Sequence, residues 1–154
     1  MVRTGIGVDT HAFAEGRRLV LGGVDVPHER GLSGHSDADV LTHAVIDAVL
    51  GAAGLGDIGQ HFPDTDAKWK DADSLALLAA VLERVAARGL RVSYVDATVM
   101  AERPKLASHR EAICERLGAA LGCPFNLKAT TGEGMGFVGR GEGVAALAVA
   151  TLEG

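Results

Sequence analysis

An aspartate and a histidine stand two positions apart near the start of the chain, in the segment GVDTHAF at residues 7–13. The segment has the apolar character of a β-strand, and in an extended chain the side chains of residues i and i+2 point to one face. We therefore expect Asp9 and His11 to be neighbours, with Thr10 on the opposite face. A carboxylate beside an imidazole suits three kinds of chemistry: a hydrogen-bonded pair, part of a metal site, or half of an acid–base couple.

Another histidine, His43, lies on a predicted helix with a broad apolar stripe. Asp39, His43 and Asp47 follow one another at i, i+4 and i+8 along the edge of that helix. One interpretation is structural, with Asp39 or Asp47 accepting a hydrogen bond from the imidazole. The other joins His43 to Asp9 and His11, because two imidazoles and a carboxylate suit zinc and leave a fourth tetrahedral position open. The flanking aspartates would then accept the second imidazole N–H.

The elements that must position these side chains alternate between strands and helices. Strands are predicted at residues 2–9, 91–101, 126–131 and 143–152, and a hairpin at residues 17–26 with its turn at Gly22 and Gly23. Helices are predicted from an N-cap at Ser36 to Ala53, from Asp73 or Ser74 to Gly89, and after Pro104. This order predicts an α+β fold of two layers, a mixed four- to five-stranded sheet with three main helices packed on one face. We expect a single domain over residues 1–154, with the apolar last strand covered on both faces.

Composition narrows the classes of function. Of 154 residues, 47% are apolar and only 4% are aromatic, which predicts a globular core built mainly from Ala, Val and Leu. A net charge of −5 without a basic stripe argues against nucleic acid or an anionic membrane as a partner. Two cysteines, no leader and no long apolar run predict a soluble cytoplasmic protein with reduced thiols. The negative charge of an anionic substrate would have to be balanced by a few cationic side chains at the site or by a bound metal ion.

Several segments have features that favour binding of an anion. The glycine-rich stretch KATTGEGMGFVGRGEGV at residues 128–144 allows close backbone approach to phosphates, with threonine hydroxyls as donors, but it fits a flexible hairpin equally well. His35 and Ser36 precede a predicted helix N-terminus, where N–H groups favour an anion. Lys105 at the start of the third predicted helix is a weaker indication, since a cation is unfavourable there unless an anion offsets it.

Six blocks, DTHAF, HSDADVLTHA, LGDIGQHFPDTD, DADS, AERPK and KATTGEGMGFVGRGEG, occur in this order over nearly the whole chain. Together they resemble the 2-C-methyl-D-erythritol 2,4-cyclodiphosphate synthases, the ring-closing enzymes of the non-mevalonate isoprenoid pathway. The resemblance implies that Asp9, His11 and His43 bind zinc. It also implies that Glu133 binds a magnesium or manganese ion between two substrate phosphates.

The resemblance also assigns catalytic and substrate-binding residues. His35 and Thr131 would stabilise the transition state. The sugar–phosphate side would be lined by Ser36, Asp57, Ile58, Gly59, Phe62, Pro63, Asp64, Thr65 and Asp66. The cytidine side would take the stretch from Ala101 through Pro104 to Lys105, together with Thr130, and Phe137 and Arg140 complete the set. Ala38 stands where the family often has glycine, and Gly132 where it often has threonine; we expect Gly132 to loosen the turn that aims Glu133.

The implied reaction is closure of a cyclic diphosphate. The 2-phosphate of 4-diphosphocytidyl-2-C-methyl-D-erythritol 2-phosphate attacks the β-phosphorus, and CMP leaves, in a homotrimer whose active sites lie between subunits. Two alternatives stay open. One is a zinc-dependent phosphohydrolase, in which the open metal position activates water. The other is a non-enzymatic oligomer that binds a prenyl diphosphate in a central cavity lined by Arg140.

Overall fold

A five-stranded mixed sheet forms one layer of the molecule in the computed structural model, which describes residues 1–154. The strands are β1 (Val2–Ala14), β2 (Leu19–Leu21), β3 (Val24–Val26), β4 (Gly31–Leu32), β5 (Arg91–Met100), β6 (Phe125–Thr130) and β7 (Gly143–Glu153). Their order in the sheet is β4-β1-β7-β5-β6, and only β5 and β6 are parallel. β2 and β3 form a separate two-stranded hairpin, as predicted.

The helices form the second layer. They are α1 (Val40–Ala53), α2 (Ile58–His61), a 3-10 helix (Ala67–Trp69), α3 (Ser74–Ala86), α4 (Arg110–Leu121) and α5 (Gly136–Gly139). The three longer helices α1, α3 and α4 and the sheet share one hydrophobic cluster of 34 buried residues. The predicted α+β fold, with a mixed sheet and three main helices, is confirmed. No helix is both long and apolar enough to cross a membrane.

Two predicted helix starts are wrong. α1 begins at Val40, and its N-cap is Asp39, whose carboxylate accepts the backbone N–H of Thr42, so Ser36 is not the cap. α4 begins at Arg110 and not directly after Pro104, because the residues between β5 and the helix form bends and turns. The predicted loop at residues 55–71 contains α2 and the 3-10 helix.

β1 lies unusually close to α1 because its helix-facing side carries glycine. A Cβ atom at Gly5 would meet the backbone of Ala48 and Ala52, and one at Gly7 would meet the backbone of Ala44 and Ala48. A side chain larger than hydrogen has no room at either position, so the helix packs directly on the strand backbone.

The opposite face of the sheet is apolar and open. Val149 of β7 is 46% exposed, and its pairing neighbour Ile6 on β1 is 64% exposed. Val8 and Tyr94 continue this patch at 54% and 43% exposure. The helix-facing side of β7 is buried, whereas Val149 on its other face is not covered within one chain, so cover on both faces of this strand stays a prediction that needs a partner chain. We call Ile6, Val8, Tyr94 and Val149 the open sheet patch; large contiguous apolar patches of this kind mark interaction surfaces.

Candidate active site

Asp9, His11 and His43 come together where β1 crosses the first turns of α1. Asp9 and His11 continue the helix-facing side of β1, and the carboxylate Oδ2 of Asp9 lies 3.1 Å from Nδ1 of His11 and 3.2 Å from Nδ1 of His43. One potential ligand atom from each residue lies within 4.8 Å of the others. Ligand atoms around a tetrahedral zinc ion stand roughly 3.3 Å apart, given bonds of about 2.0–2.1 Å. The predicted proximity of the three side chains is therefore confirmed, with a spacing that suits a metal ion.

The hydrogen bonding of His11 supports the same interpretation. Nδ1 of His11 is buried and makes no hydrogen bond, because its short contact with Asp9 lacks hydrogen-bond geometry. A buried polar atom without a partner costs about 1–3 kcal/mol. A metal ion at the centre of the cluster would use this lone pair, and two imidazoles with one carboxylate form a donor set that zinc accepts.

The protonation of the cluster is coupled. Burial opposes ionisation of Asp9, but the close contacts and positive charges of His11 and His43 outweigh it and hold the pKa of Asp9 below its ordinary value. Burial likewise opposes the charged form of His43, yet the hydrogen bond and charge of Asp9, with the charges of Asp39 and Asp37, raise its pKa. The raised pKa of His43 favours its protonated form, and binding of a metal ion through this ring would compete with that proton.

Asp39 and Asp47 do not bond to His43, so that part of the sequence prediction is wrong. Asp39 is fully buried and accepts the N–H groups of Gly22 at 2.9 Å, Gly23 at 2.7 Å and Thr42 at 2.9 Å, which ties the hairpin turn to the start of α1. Burial raises the pKa of Asp39, and these hydrogen bonds offset part of that rise. Asp47 accepts the N–H of Ile58 at 2.7 Å, at the start of α2.

The partners of His43 come from elsewhere in the chain. Nε2 of His43 lies 2.8 Å from the hydroxyl of Ser74 and 3.1 Å from the hydroxyl of Ser36. Ser74 was predicted only as a possible helix start, although the DADS block that contains it belongs to the resemblance.

The three residues open into a cleft of about 600 Å³, within the range typical of small-molecule sites. Its lining brings together most of the residues predicted for the sugar–phosphate side. Those on the cleft wall are Asp9, His11, His35, Ser36, His43, Ile58, Gly59, Phe62, Pro63, Asp64 and Thr65. The wall also includes three residues that were not predicted, Gly34, Trp69 and Leu77. Asp57 and Asp66 are not on this wall. They accept N–H groups at the starts of α2 and the 3-10 helix, which explains part of the acidity of this loop.

The segment that carries His35 is held from two sides. On one side, the guanidinium of Arg17 donates to the backbone carbonyls of Gly34 and Ser36, both at 2.7 Å. On the other, the N–H of Asp71 donates to the carbonyl of His35 at 2.8 Å. The backbone on either side of His35 is thus fixed by contacts remote from the metal cluster.

Replacement of Arg17 by alanine is expected to lower the free energy of unfolding by about 2 kcal/mol, because two hydrogen bonds from a charged donor are lost and two carbonyls lose their partner. Denaturant unfolding measures the difference. Arg18→Ala is the matched control, since Arg18 is 77% exposed and pairs only with Asp25 at the surface, and such pairs contribute about 0–1 kcal/mol. Equal losses in the two variants would contradict the role given to Arg17.

A second cavity, of about 190 Å³, lies at the carboxyl ends of the parallel strands β5 and β6. Its wall includes the residues predicted for the cytidine side, namely Ala101, Pro104, Lys105 and Thr130, together with Thr131. Lys105 is not at a helix N-terminus, since α4 begins later, so the argument from the helix dipole is wrong for this residue.

The glycine-rich stretch is not a hairpin, because β5 lies between β6 and β7 in the sheet. It forms a turn followed by α5, and in the turn the N–H of Glu133 donates to the hydroxyl of Thr131 at 3.2 Å. The N–H of Gly132 donates to the carboxylate of Glu102 at 2.5 Å, and a Cβ at Gly132 would meet the backbone of Met135 and Gly139. The turn is therefore closely packed around Gly132, and the effect of this glycine on the orientation of Glu133 stays a prediction.

The chain does not bring all the predicted residues together. The cleft and the second cavity share no lining residue, so His35 and Thr131 lie in different places. Phe137 borders a third cavity, of about 280 Å³, that His11 also lines, and Arg140 forms an ion pair with Glu142 at 2.8 Å. One chain therefore contains two separate parts of the predicted site.

Known proteins match the chain over almost its full length. The model of the YgbB family matches residues 2–153. The 2-C-methyl-D-erythritol 2,4-cyclodiphosphate synthase of Salinibacter ruber is 61% identical over 155 residues, which cover 99% of each chain. A solved structure of a 2C-methyl-D-erythritol-2,4-cyclodiphosphate synthase in a form with bound CDP has a TM-score of 0.90 at 38% identity, covering 98% of this chain and 100% of that one.

A longer relative also matches. The structure of the bifunctional IspDF from Campylobacter jejuni has a TM-score of 0.95 at 44% identity, and the match covers 99% of this chain but 42% of that one. The chain thus corresponds to one part of the bifunctional protein and to the whole of the Salinibacter enzyme.

The fold and the histidine–aspartate cluster in its cleft define an α+β enzyme of the synthase type named in these relatives. The chain belongs to the YgbB family, in agreement with the resemblance seen in its sequence blocks.

Proposed function

We propose that the protein converts 4-diphosphocytidyl-2-C-methyl-D-erythritol 2-phosphate into 2-C-methyl-D-erythritol 2,4-cyclodiphosphate and CMP, as a phosphorus–oxygen lyase. The observation that carries this proposal is the cluster of Asp9, His11 and His43 in the cleft of a chain 61% identical to a synthase of that name. The CDP bound to the solved relative has the nucleotide part of such a substrate. The substrate and products are water-soluble anions, which agrees with a cytoplasmic enzyme.

The chemistry requires little acid–base catalysis. An oxygen of the 2-phosphate forms a bond to the β-phosphorus, the bond from the β-phosphorus to the bridging oxygen breaks, and CMP leaves with the electron pair. A phosphate monoester is largely ionised at neutral pH, with a second pKa of about 6, so the nucleophile needs no base. The protein must instead fold a flexible substrate into a ring and balance its crowded negative charge.

The residues of the site divide these tasks. Asp9, His11 and His43 would hold zinc, and Glu133 would hold magnesium or manganese; bound ions of this kind neutralise phosphate oxygens as charge moves to the leaving group. His35, on the cleft wall beside the cluster, can donate to a phosphate oxygen from a backbone fixed by Arg17 and Asp71. Thr131 offers a hydroxyl in the turn that carries Glu133.

A homotrimer would complete the site. His35 and the metal cluster line the cleft, whereas Thr131 lies in the second cavity, and this separation supports a site to which a neighbouring chain would supply one part. The open sheet patch offers an apolar surface for this contact. The prenyl diphosphate predicted for the central cavity stays a prediction, and Arg140, the cation that would meet it, is paired with Glu142.

Phosphorus-31 NMR of the protein with the cytidyl substrate and magnesium tests the function, before and after zinc is stripped and restored. We expect a cyclic diphosphate and CMP, lost on stripping and recovered with zinc. A linear phosphate product would instead identify a phosphohydrolase. No turnover in zinc-loaded protein would favour the binding oligomer.

A further inference from the structure

Ser74, the first residue of α3, is fully buried and has no part in the chemistry described above. Its hydroxyl donates to Oδ1 of Asp37, and its backbone N–H donates to Oδ2 of the same carboxylate at 2.9 Å. Nε2 of His43 lies 2.8 Å from the same hydroxyl oxygen. A carboxylate, a hydroxyl and an imidazole therefore form one continuous hydrogen-bonded chain.

The direction of this chain follows from the number of protons available. A serine hydroxyl has one proton, and an ionised carboxylate can only accept, so the proton of Ser74 is directed at Asp37. The oxygen of Ser74 must then accept its second hydrogen bond, and the donor is the Nε2–H of His43. With the proton on Nε2, the neutral imidazole has its lone pair on Nδ1, the atom that faces Asp9.

We propose that Ser74 and Asp37 are positioning residues that hold His43 in its Nε2–H form and so present Nδ1 to the metal ion. The inference rests on the metal centre of the proposed function. Imidazole ligands commonly donate their second N–H to a carboxylate or carbonyl group, which fixes the ring and raises its basicity. Here the hydroxyl of Ser74 stands between the imidazole of His43 and the carboxylate of Asp37, so the carboxylate polarises the imidazole N–H through the hydroxyl.

Ser36 is the other hydroxyl near Nε2, and its geometry is weaker. Its oxygen lies 3.1 Å from Nε2 and also receives the N–H of Ala38 at 3.3 Å. Ser36 borders the open cleft, whereas Ser74 is enclosed and bonded to a charged group. A hydrogen bond is strengthened when its acceptor is itself bonded to an ionised group, as Ser74 is to the carboxylate of Asp37. Ser74 is therefore the main hydrogen-bond partner of Nε2 of His43.

Nitrogen-15 NMR of the histidine side chains tests the proton assignment directly. In zinc-loaded protein we expect the His43 signals to show a metal-bound Nδ1 and a protonated, slowly exchanging Nε2. Zinc bound through Nε2, or a metal-bound ring that carries no proton on Nε2, overturns the proposal.

Zinc affinity, measured by competition with a chromogenic chelator, tests the positioning role. We expect Ser74→Ala to weaken zinc binding about 10–100-fold, the usual cost of removing such a partner, and Asp37→Asn to weaken it about tenfold. Because Asp37 acts through Ser74, the double variant should bind no more weakly than Ser74→Ala alone. Ser93→Ala, which removes a hydroxyl bonded to the carbonyl of Thr151, is the control and should bind like the parent.

Parent-like affinity in folded Ser74→Ala and Asp37→Asn proteins overturns the proposal. If Ser74→Ala does not fold, Asp37→Asn and the NMR spectra of the parent protein decide. A parent protein that binds no zinc contradicts the proposed metal centre and this inference together, whereas a parent protein that binds zinc through Nε2 of His43 overturns the inference alone.

Discussion

Replacing His43 with alanine is expected to remove zinc from the purified protein and to lower turnover by about a thousandfold or more. The side chain supplies one of three converging ligand atoms, and Asp9 and His11 alone leave too few donors for tight binding. A metal ion on a phosphate contributes several kcal/mol to the transition state, and each 1.36 kcal/mol is a factor of ten. Metal analysis and product formation, measured on the same preparation, check both effects.

His109→Ala is the matched control for this experiment. His109 precedes α4, its side chain makes no capping hydrogen bond, and it lies on the wall of neither the cleft nor the second cavity. We expect this variant to keep parent levels of zinc and turnover. Full zinc content and full activity in His43→Ala would show that the ligand assignment is wrong, and loss of zinc with unchanged turnover would separate the metal from the reaction.

If the protein is the proposed zinc-binding homotrimer, glutamate in place of Val149 is expected to convert it into monomers and to abolish most turnover while zinc is retained. Val149 lies in the open sheet patch, where an interface would enclose three unpaired carboxylates in a symmetric trimer, each at a cost of several kcal/mol. The monomer should remain folded, because the side chain is 46% exposed there. Sedimentation velocity, zinc analysis and turnover give the three measurements.

The retained zinc distinguishes this result from simple unfolding. Asp9, His11 and His43 belong to one chain, whereas in the proposed trimer His35 and Thr131 would come together across subunits, so dissociation should cost about a hundredfold or more in turnover. Ala79→Glu, on the exposed side of α3, is the control and should stay trimeric and active. A trimeric Val149→Glu variant, or a monomeric parent protein, would contradict the proposed assembly.

Local sequence patterns predicted most of the secondary structure and the pairing of Asp9 with His11. Period-two alternation places two side chains of one strand on the same face regardless of the rest of the fold, so that proximity could be read directly. The placement of His43 opposite Asp9 and His11 depends on the packing of α1 on β1. The sequence indicated this placement only because two histidines and an aspartate form a donor set suited to zinc. The helix starts were less predictable, because Ser36 and Asp39 are both good N-caps and tertiary contacts with Gly22 and Gly23 decide between them.

The hydrogen-bond partners of the site could not be predicted for a related reason. Asp39 and Asp47 are near His43 along the helix, and proximity in sequence favours them, yet each bonds to backbone N–H groups elsewhere. Ser74 is 31 residues from His43 and reaches it only through the docking of α3. Long-range contacts of this kind leave no periodic pattern in the sequence.

The glycines of β1 also determine how the strand can be aligned with α1. If the strand slipped by two residues, Asp9 would occupy the place of Gly7, where the backbone of Ala44 leaves no room even for a Cβ atom. A slip by one residue would turn the carboxylate away from the helix altogether. Steric exclusion along the strand therefore permits a single alignment, and that alignment places Asp9 and His11 opposite His43.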